Sequence, residues 1–352
     1  MTTQVTDDIR RCAQCIVPEG YPDVTLNQES VCSHCQTYQP KEVLGEAALW
    51  DTLKQRQGSG RYDVLVPVSG GRDSSFVLYH AVRQFGKRVF ALHFDNDFQV
   101  PQARQNFLNV VEKFGVDYTI EQSKYHLPIK IVHHAVKTAL PFGKFDLTTN
   151  CCVACTYGYR AASYRKALKL GIPTILWGDS DVEAISFFYR QSRIKYFFSR
   201  YFYHYLLFIL YTMLFQFEFW IPKSRFFHLS APTYSGDEIL DVHFFDYVEW
   251  DRETIKKTIM NEVGWKAPDK SATSWRFDCT IHHVVNYCFK QTYGFSKDFD
   301  GFANMVRAGK MDRQEALQQE KLIGEWDDEM GRILSEDFNL SEQEITRYFG
   351  IH

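Results

Sequence analysis

The segment from Ser69 to Ser75 contains residue types that together bind phosphate. Its sequence is Ser-Gly-Gly-Arg-Asp-Ser-Ser, and it lies between an apolar run at 63–68 and a helix-like pattern. Gly70 and Gly71 can adopt backbone conformations closed to other residues and let main-chain N–H groups approach an anion, while serine hydroxyls add donors at the positive end of the next helix. The sequence therefore predicts a phosphate-binding turn formed by Ser69, Gly70, Gly71, Ser74 and Ser75. An ordinary strand-to-helix turn is the alternative, and the lack of a following Gly-Lys-Ser/Thr argues against γ-phosphate transfer.

Four cysteines near the N-terminus have the spacing of a metal-binding ribbon. Two Cys-x-x-Cys pairs are separated by sixteen residues: Cys12, Cys15, Cys32 and Cys35. Such pairs place four thiolates around one tetrahedral ion, and a short segment with little apolar content needs this cross-link to hold a fold. We expect a structural zinc ion, since four sulfurs leave no open coordination position. Redox pairs or free thiols are the alternative.

A second cysteine group is spread over the rest of the chain. Cys152 and Cys155 have the same spacing but no second pair, and Cys279 lies in a polar stretch. Three thiolates leave one position open, which suits a second zinc ion or a 4Fe–4S cluster with one free iron. A redox pair or buried apolar cysteines are the alternatives.

The polar stretch around Cys279 also predicts a substrate pocket. Aromatic, cationic and acidic side chains occur together there, as in a site that binds a sugar or a carboxylate. The candidate residues are Trp275, Arg276, Asp278 and His282.

Alternating strand and helix patterns place several of these residues at one edge of a sheet. Strand patterns occupy 63–68, 88–94, 117–121 and 173–177, and helix patterns occupy 41–57, 76–85, 102–114 and 157–170. This alternation predicts an α/β fold with a doubly wound parallel sheet, in which ligands lie beyond the carboxyl ends of the strands. The loop at 69–75 and Asp95 would lie there, with Asp95 binding ribose hydroxyls or capping a helix.

Acidic residues follow the last of these strands. Gly178, Asp179, Asp181 and Glu183 occur directly after it. Mg²⁺ binds one or two carboxylates together with phosphate oxygens, so we expect Gly178, Asp179 and Asp181 at a magnesium–ATP site. The alternative is a solvated helix N-terminus with favourable dipole contacts.

The segment from Tyr201 to Phe217 has no Asp, Glu, Lys or Arg. Its seventeen residues are at the short limit for crossing a bilayer, so a helix buried in the protein or covered by a partner is favoured over a span. A face that contacts a partner protein or a membrane surface is left open. After Trp250 the chain is predicted to be helical, from Asp251 and again over 311–334.

The composition limits the partners and the compartment. A net charge of −3 gives no electrostatic case for binding nucleic acid. The N-terminus has no basic and apolar leader pattern, so a cytoplasmic protein is expected, with membrane association only through Tyr201 to Phe217. Nine cysteines in that compartment indicate metal ligands or reactive thiols rather than disulfides.

The loop at 69–75 resembles the pyrophosphate loop (PP-loop) of the ATP pyrophosphatases, which cleave ATP between its α- and β-phosphates. The ribbon, the loop, the central Cys-x-x-Cys, the uncharged aromatic segment and the Trp-Arg-Phe-Asp-Cys stretch at 275–279 together resemble, over nearly the full chain, the N-acetyl sugar amidotransferases of bacterial lipopolysaccharide O-antigen synthesis. The resemblance implies an adenine nucleotide α-hydrolase-like fold that uses ATP and Mg²⁺.

The resemblance also implies a reaction and partners. The acetamido oxygen of a UDP-linked N-acetyl sugar, of the diacetamido-uronic acid type, would attack the α-phosphorus of ATP, and ammonia would then displace AMP to give an acetamidino group. Ser69 to Ser75 would hold pyrophosphate, Asp73, Arg72 and Ser74 would be catalytic, and Asp95 would lie near the nucleoside. Ammonia would come from a glutaminase and barrel-type partner subunits.

Two other functions fit parts of the sequence. A tRNA thiolation enzyme would use the same adenylation with the cysteine-bound metal or cluster, but the charge balance is against it. An adaptor that uses the α/β domain as a nucleotide-dependent scaffold is disfavoured by the intact loop. The domains are predicted as a cysteine zinc ribbon at 1–40, a PP-loop ATP pyrophosphatase domain at 41–185, and an aromatic and helical part that binds substrate or partners at 186–352.

Overall fold

Five parallel strands form the central sheet. They are β1 (Val64–Pro67), β2 (Val89–Asp95), β3 (Asp117–Gln122), β4 (Thr174–Trp177) and β5 (Leu240–His243). The order is β3-β2-β1-β4-β5, and each neighbouring pair is parallel, with Val64 opposite both Val89 and Thr174. The strand order reverses between β1 and β4. Ligands of such sheets bind at this point, beyond the carboxyl ends of the strands.

The computed structural model describes residues 10–19, 21, 24–58, 60–139, 147–183, 200, 202–221, 234, 236–267 and 278–349. Its α-helices are α1 (Ser33–Thr37), α2 (Glu46–Gln55), α3 (Arg72–Phe85), α4 (Pro101–Phe114), α5 (Leu127–Ala139), α6 (Leu147–Leu170), α7 (Phe202–Glu218), α8 (Arg252–Val263), α9 (Ile281–Tyr293), α10 (Phe299–Arg307), α11 (Arg313–Leu322), α12 (Asp328–Arg332) and α13 (Glu342–Phe349). Short 3₁₀ turns lie at Gly86–Arg88, Asp181–Glu183 and Phe244–Asp246, and a π-helical turn lies at Ile333–Asp337.

Helices cover both faces of the sheet. Val64 and Val66 of β1 enter a core with α3, α4 and α8, whereas Leu65 enters a second core with α5, α6 and α7. Successive side chains of a strand alternate between faces, so a run of buried apolar residues serves both cores. The predicted doubly wound parallel α/β fold is confirmed, and so is a helical C-terminal part.

The uncharged aromatic segment forms α7. Its inner side buries Tyr205, Phe208 and Phe215 in the second core. Within the part of the chain that the structure describes, no helix has both the length and the hydropathy needed to cross a bilayer. The inner side of α7 is packed in the protein, as the sequence predicts for this segment.

Two predicted helix starts were too late along the chain. The helix predicted at 76–85 begins at Arg72, so its first turn belongs to the Ser-Gly-Gly-Arg-Asp-Ser motif itself. The helix predicted at 157–170 begins at Leu147, so Cys152 and Cys155 lie within a helix instead of before one. Both segments lack a strong breaker, and packing against the sheet extends them beyond the apolar pattern.

Two other helix patterns were predicted too long. The pattern at 41–57 yields a helix only from Glu46, because the N–H groups of Leu44 and Gly45 bond to carbonyls at 246 and 247 instead. The pattern at 311–334 breaks in two, because Gly324 has φ of 77° and Asp327 starts a new helix by accepting a hydrogen bond from the Met330 N–H.

The cysteine ribbon packs against the C-terminal helices. The Arg313 guanidinium donates hydrogen bonds to the carbonyl oxygens of Cys12 and Cys15, and the Tyr21 hydroxyl donates to the Asp300 carboxylate at 2.5 Å. Apolar ribbon residues belong to the same core as α3 and α10. The ribbon therefore packs against residues of α10 and α11, far along the chain, and the domain boundaries at 40 and 185 stay predictions.

Candidate functional site

The chain between β1 and α3 forms a tight loop against α4. Gly70 has φ of 85°, a left-handed-region conformation that favours glycine. A Cβ atom at Gly70 would lie 1.9 Å from the carbonyl oxygen of Ala103, so no larger residue fits without moving the backbone. The Gly70 carbonyl accepts a hydrogen bond from the Trp265 indole N–H at 3.1 Å. Neighbouring elements thus fix the path of the loop.

Serine hydroxyls line the start of α3. The Ser69 N–H donates to Ser74 Oγ, and the two hydroxyl oxygens are 3.2 Å apart. Gly71 precedes the helix without a side-chain cap, so N–H groups of the first turn and these hydroxyls are donors for an anion. Ser75 is fully buried, and its hydroxyl donates to the Gly71 carbonyl at 2.7 Å, a shorter contact than the 3.4 Å of the Ser74 hydroxyl to the same carbonyl. Binding of pyrophosphate here stays a prediction.

Buried Arg72 pairs with the partly buried Asp73 at the start of α3. Arg72 Nε donates to Asp73 Oδ1 at 2.8 Å, and the guanidinium lies over the Trp250 ring at 5.1 Å. The Trp250 indole N–H donates to Asp73 Oδ2 at 3.2 Å. In this arrangement the two side chains hold the first turn of α3 to the element before α8. Their catalytic roles stay predictions.

The segment after β4 lies against the loop. A Cβ atom at Gly178 would lie 3.3 Å from Ser74 Cα, so the absence of a side chain lets β4 and α3 approach closely. Asp179 Oδ2 is 3.0 Å from Nδ1 of His243, at the end of β5. Burial favours the neutral acid, but the hydrogen bond and charge of His243 with the charge of Arg160 outweigh it and lower the Asp179 pKa. The same hydrogen bond raises the His243 pKa above its usual range.

The other predicted acidic ligands also have cationic partners. Asp181 Oδ2 is 2.5 Å from Lys41 Nζ, which also bonds to Asp246 at 2.8 Å. Asp95 Oδ2 is 3.3 Å from Arg104 Nη1, and Asp95 Oδ1 accepts a hydrogen bond from the N–H of residue 97. The Glu183 side chain lies outside the part described. Magnesium and ribose binding by these residues stay predictions.

Asp278, next to Cys279, lies beside the loop at 69–75. A Cβ atom at Gly71 would lie 3.6 Å from Asp278 Oδ2, and the Asp278 carbonyl accepts the Val100 N–H. Gln99 pairs with Cys279 in an antiparallel bridge. Residues 278–280 therefore connect the loop after β2 with the loop after β1.

The remaining predicted substrate residues divide into two groups. Trp275 and Arg276 lie outside the described residues. His282 is in the first turn of α9, where Nε2 is 2.6 Å from Asp298 Oδ2 and 3.0 Å from the Asn286 amide. These contacts hold α9 to the start of α10, and a substrate role for His282 stays a prediction.

The three central cysteines contact two polar side chains, Asn96 and Lys297. Asn96 Nδ2 lies 3.2 Å from Cys155 Sγ and 4.0 Å from Cys279 Sγ. Lys297 Nζ lies 2.9 Å from Cys152 Sγ. Burial raises the Cys155 pKa to about 12 and raises the Cys279 pKa well above its usual range, with nearby negative charges adding to both shifts. Two buried thiols and a third beside an ammonium group need a cation or a cluster before all three become thiolates.

The four ribbon cysteines fit a single metal ion. All four sulfurs lie within 4.8 Å of one another, with Cys12–Cys35 at 3.8 Å and Cys15–Cys32 at 3.7 Å. A tetrahedron with metal–sulfur bonds of about 2.3 Å has sulfur separations of about 3.8 Å. Among the described residues, these cysteines are the only group of three or more potential ligands this close.

The closeness of the four ribbon thiols also shifts their pKa values in opposite directions. A hydrogen bond from Cys35 lowers the Cys15 pKa to about 5, whereas burial raises the Cys32 pKa to about 11 and the hydrogen bond to Cys15 raises that of Cys35. Four thiolates at these separations repel one another unless a metal ion lies between them.

Sequence reasoning missed the basic and amide groups of this edge. Lys41, His243 and Lys297 come from distant segments and had no local pattern to identify them. Asn96 directly follows a predicted strand, and that position was a usable signal. His126 was also missed; its Nδ1 lies 2.6 Å from Asp97 Oδ1, and both residues have positive φ.

The sheet order, the loop and the cysteine cluster define a doubly wound α/β protein with an N-terminal cysteine ribbon that could hold a metal ion. No family model matches the chain. The chain is 22% identical over 320 residues to an uncharacterized protein of Methanocaldococcus jannaschii, covering 88% of this chain and 92% of that one.

Three solved structures show a distant similarity. The NH3-dependent NAD synthetase of Campylobacter jejuni has a TM-score of 0.29 and 15% identity, covering 40% of this chain and 57% of that one. The NMN synthetase of Francisella tularensis has a TM-score of 0.40 and 14% identity, covering 84% of this chain and 93% of that one. The U34-tRNA thiolase of Methanococcus maripaludis with its 4Fe–4S cluster has a TM-score of 0.35 and 11% identity, covering 95% of this chain and 99% of that one. This chain spans little more than half the length of the Campylobacter synthetase. Similarity at this level identifies neither a substrate nor a reaction.

Proposed function

We propose that this protein is an ATP-dependent, AMP-forming amidotransferase. It converts an acetamido group of a UDP-linked N-acetyl sugar, of the diacetamido-uronic acid type, to an acetamidino group. The observation that carries the ATP-dependent step is the Ser69–Ser75 loop at the point where the strand order reverses, with uncapped N–H groups and two hydroxyls at the start of α3. The choice of sugar and of nitrogen rests on the sequence resemblance.

The first half-reaction activates a poor leaving group. The amide oxygen attacks the α-phosphorus, the bond between the α-phosphorus and the bridging oxygen breaks, and pyrophosphate leaves. The first turn of α3, with Ser69 and Ser74, holds the departing pyrophosphate. Magnesium, when bound with ATP, offsets the charge of the phosphates, and we propose that Asp179 and Asp181 hold it in place of Lys41 and His243. Both would exchange a cationic partner for the ion.

The second half-reaction replaces AMP by nitrogen. Ammonia attacks the activated carbon, AMP leaves with the former amide oxygen, and loss of a proton gives the amidine. Asp278 lies beside Gly71 and would accept a hydrogen bond from substrate or ammonia at this position. We propose that a glutaminase and a barrel-type subunit deliver the ammonia.

The metals have separate roles in this proposal. The ribbon cysteines hold zinc, which stabilises the fold and takes no part in the reaction. The donor set of Cys152, Cys155 and Cys279 suits an iron–sulfur cluster better than one small ion, since these thiols do not belong to a group within 4.8 Å.

One observation favours a second candidate, tRNA thiolation. Cys155 and Cys279 contact Asn96, directly after β2, and Cys279 follows Asp278, whose side chain lies beside Gly71. A cluster held here would supply sulfur to an adenylated base. The net charge of −3 opposes this candidate.

An assay that supplies the sugar nucleotide and tRNA separately distinguishes the amidotransferase from the tRNA thiolation enzyme. Anaerobically purified protein with ATP, Mg²⁺ and ammonium should release AMP and pyrophosphate in proportion to added UDP-linked diacetamido-uronic acid, and mass spectrometry should show a product lighter by one mass unit than the amide. Release that depends on tRNA and a sulfur donor, and not on the sugar, would replace the amidotransferase by the thiolase. Release of ADP would reject both.

A further inference from the structure

The outer side of α7 exposes a row of apolar side chains. Six of them, between 38% and 73% exposed, form what we call the α7 stripe: Tyr203, Leu206, Leu210, Met213, Phe217 and Trp220. Leu214 beside it is 45% exposed. The opposite side of the helix is packed in the second core. Two apolar sides leave α7 without a charged face, and an exposed contiguous apolar row of this size marks an interaction surface.

The spacing of the stripe is that of a helix–helix seam. Successive members are three, four, three, four and three residues apart, the alternation that keeps side chains on one line of a helix facing another helix. Trp220 extends the line past the end of α7, where its N–H still bonds to the Phe217 carbonyl. A seam of this kind calls for a second helix as occupant.

The same spacing makes the stripe complementary to itself. It reads the same in both directions, so two antiparallel copies of α7 place Tyr203 opposite Trp220, Leu206 opposite Phe217 and Leu210 opposite Met213. Aromatic side chains then lie at the ends and smaller aliphatic ones at the centre. A two-fold interface requires that one patch complement its own copy, and the stripe meets that condition without any charge to repel.

The exposed area is sufficient for a dimer. Aromatic side chains carry ~150–250 Å² each, so at the observed fractions the stripe with Leu214 exposes on the order of 600 Å² per copy. The pair would bury on the order of 1,200 Å², the lower end of the range for specific interfaces.

A membrane surface is a poorer occupant. Helices that lie in a bilayer interface combine an apolar face with a Lys- and Arg-rich polar face. No Lys or Arg occurs in α7, and its other side is buried in the protein.

We propose that the protein forms a two-fold symmetric dimer through antiparallel packing of the α7 stripes of two copies. The dimer does not depend on the reaction proposed above. It makes the face of the sheet covered by α5, α6 and α7 the subunit interface and leaves the carboxyl edge of the sheet outside the seam.

Sedimentation equilibrium of the full-length protein tests the dimer and its register. Leu206→Glu and Phe217→Lys should each raise the dimer dissociation constant by about tenfold or more, because each buries an unpaired charge against an apolar partner. An equimolar mixture of the two variants should recover dimer. In the mixed dimer the introduced Glu at 206 of one copy faces the introduced Lys at 217 of the other, and the second contact of this kind keeps Leu206 against Phe217. Leu322→Glu, at another exposed apolar position, is the matched control and should dimerise as wild type.

The outcomes are decisive in both directions. Loss of dimer in each single variant with recovery on mixing supports the antiparallel register, and the recovery also shows that both variants fold. A wild-type monomer at all concentrations, or dimers that survive both substitutions, overturns the proposal. Binding of a monomeric wild type to anionic vesicles, lost in Leu206→Glu, would assign the stripe to a membrane instead.

Discussion

The two cysteine groups show two ways of building a site. The ribbon cysteines lie within 24 residues of chain, and their sulfurs are all within 4.8 Å of one another. The central cysteines come from α6 and from a segment more than a hundred residues later, and an amide and an ammonium group hold their sulfurs. The ribbon is assembled from one short segment, whereas the central group depends on the assembled fold and lies where we propose that the chemistry takes place.

Removing a ribbon ligand should have the largest effect on stability. Cys32→Ser should lose the bound metal and several kcal/mol of unfolding free energy, because binding of a structural ion is coupled to folding of the segment that holds it. Elemental analysis and urea unfolding measure the two quantities. Cys288→Ala, which alters a buried cysteine of a different core, should keep the metal. Equal metal content in wild type and Cys32→Ser would contradict the assignment.

A change in the phosphate loop should act on chemistry instead. Gly70→Ala should lower the rate of AMP formation at least ~100-fold, because its Cβ atom would displace the loop or the Ala103 carbonyl and so misalign the anion donors. Gly115→Ala is the matched control, since Gly115 also has positive φ but open space around its Cβ position. It should cost about 1 kcal/mol and keep the rate. Full activity of Gly70→Ala would mean that the loop is misassigned.

One substitution should distinguish the role of the central cysteines from that of the ribbon cysteines. Cys155→Ser should reduce turnover about tenfold or more and abolish bound iron while the ribbon metal stays, because serine does not replace a cluster thiolate. Its unfolding free energy should fall by less than that of Cys32→Ser. Iron and zinc content with a urea titration measure these effects. An unchanged rate together with unchanged metal content would reduce the central group to buried thiols.

The smallest effect is expected for the Asp179–His243 pair. Because the His243 pKa is raised, protonated His243 stabilises the fold below its unfolded pKa near 6.5, and this stability is lost as the pH rises through the folded pKa. Because the Asp179 pKa is lowered, ionised Asp179 stabilises the fold at pH values above about 3.8. Stability lost on His243→Gln should therefore be larger at pH 5.5 than at pH 8. Both groups are partly exposed, so the difference should be below about 1 kcal/mol, measured by urea unfolding. An equal loss at both pH values would indicate that the pair is not charged.

Short-range patterns predicted much of the site. The strand–loop–helix order around Ser69 and the two Cys-x-x-Cys pairs are local, and both were found where the sequence placed them. β5 was not predicted, although it completes the sheet and supplies His243. Its sequence, Leu-Asp-Val-His, alternates apolar and polar residues, so the strand had a usable but short signal, and the pairing with β4 places it in the sheet.

Side-chain partners were beyond sequence reasoning. Arg72 is of a type that binds phosphate, yet packing turns its guanidinium toward Asp73 and Trp250. Which way a long side chain points is decided by neighbours far along the chain. The same holds for the exposed side of α7, where composition showed an apolar helix but not which residues lie outside.

The sequence alone identified the features that need only a few neighbouring residues, namely the glycine-rich turn, the cysteine spacing of the ribbon and the alternation of strands and helices. Backbone freedom, ligand spacing and hydrophobic periodicity act over a turn or two of chain, so their effects can be read locally. Only the tertiary structure decided which distant groups meet, from Lys41 with Asp181 to Asn96 with Cys155 and Cys279. Strand order and core packing set those distances, and neither is encoded in any one segment.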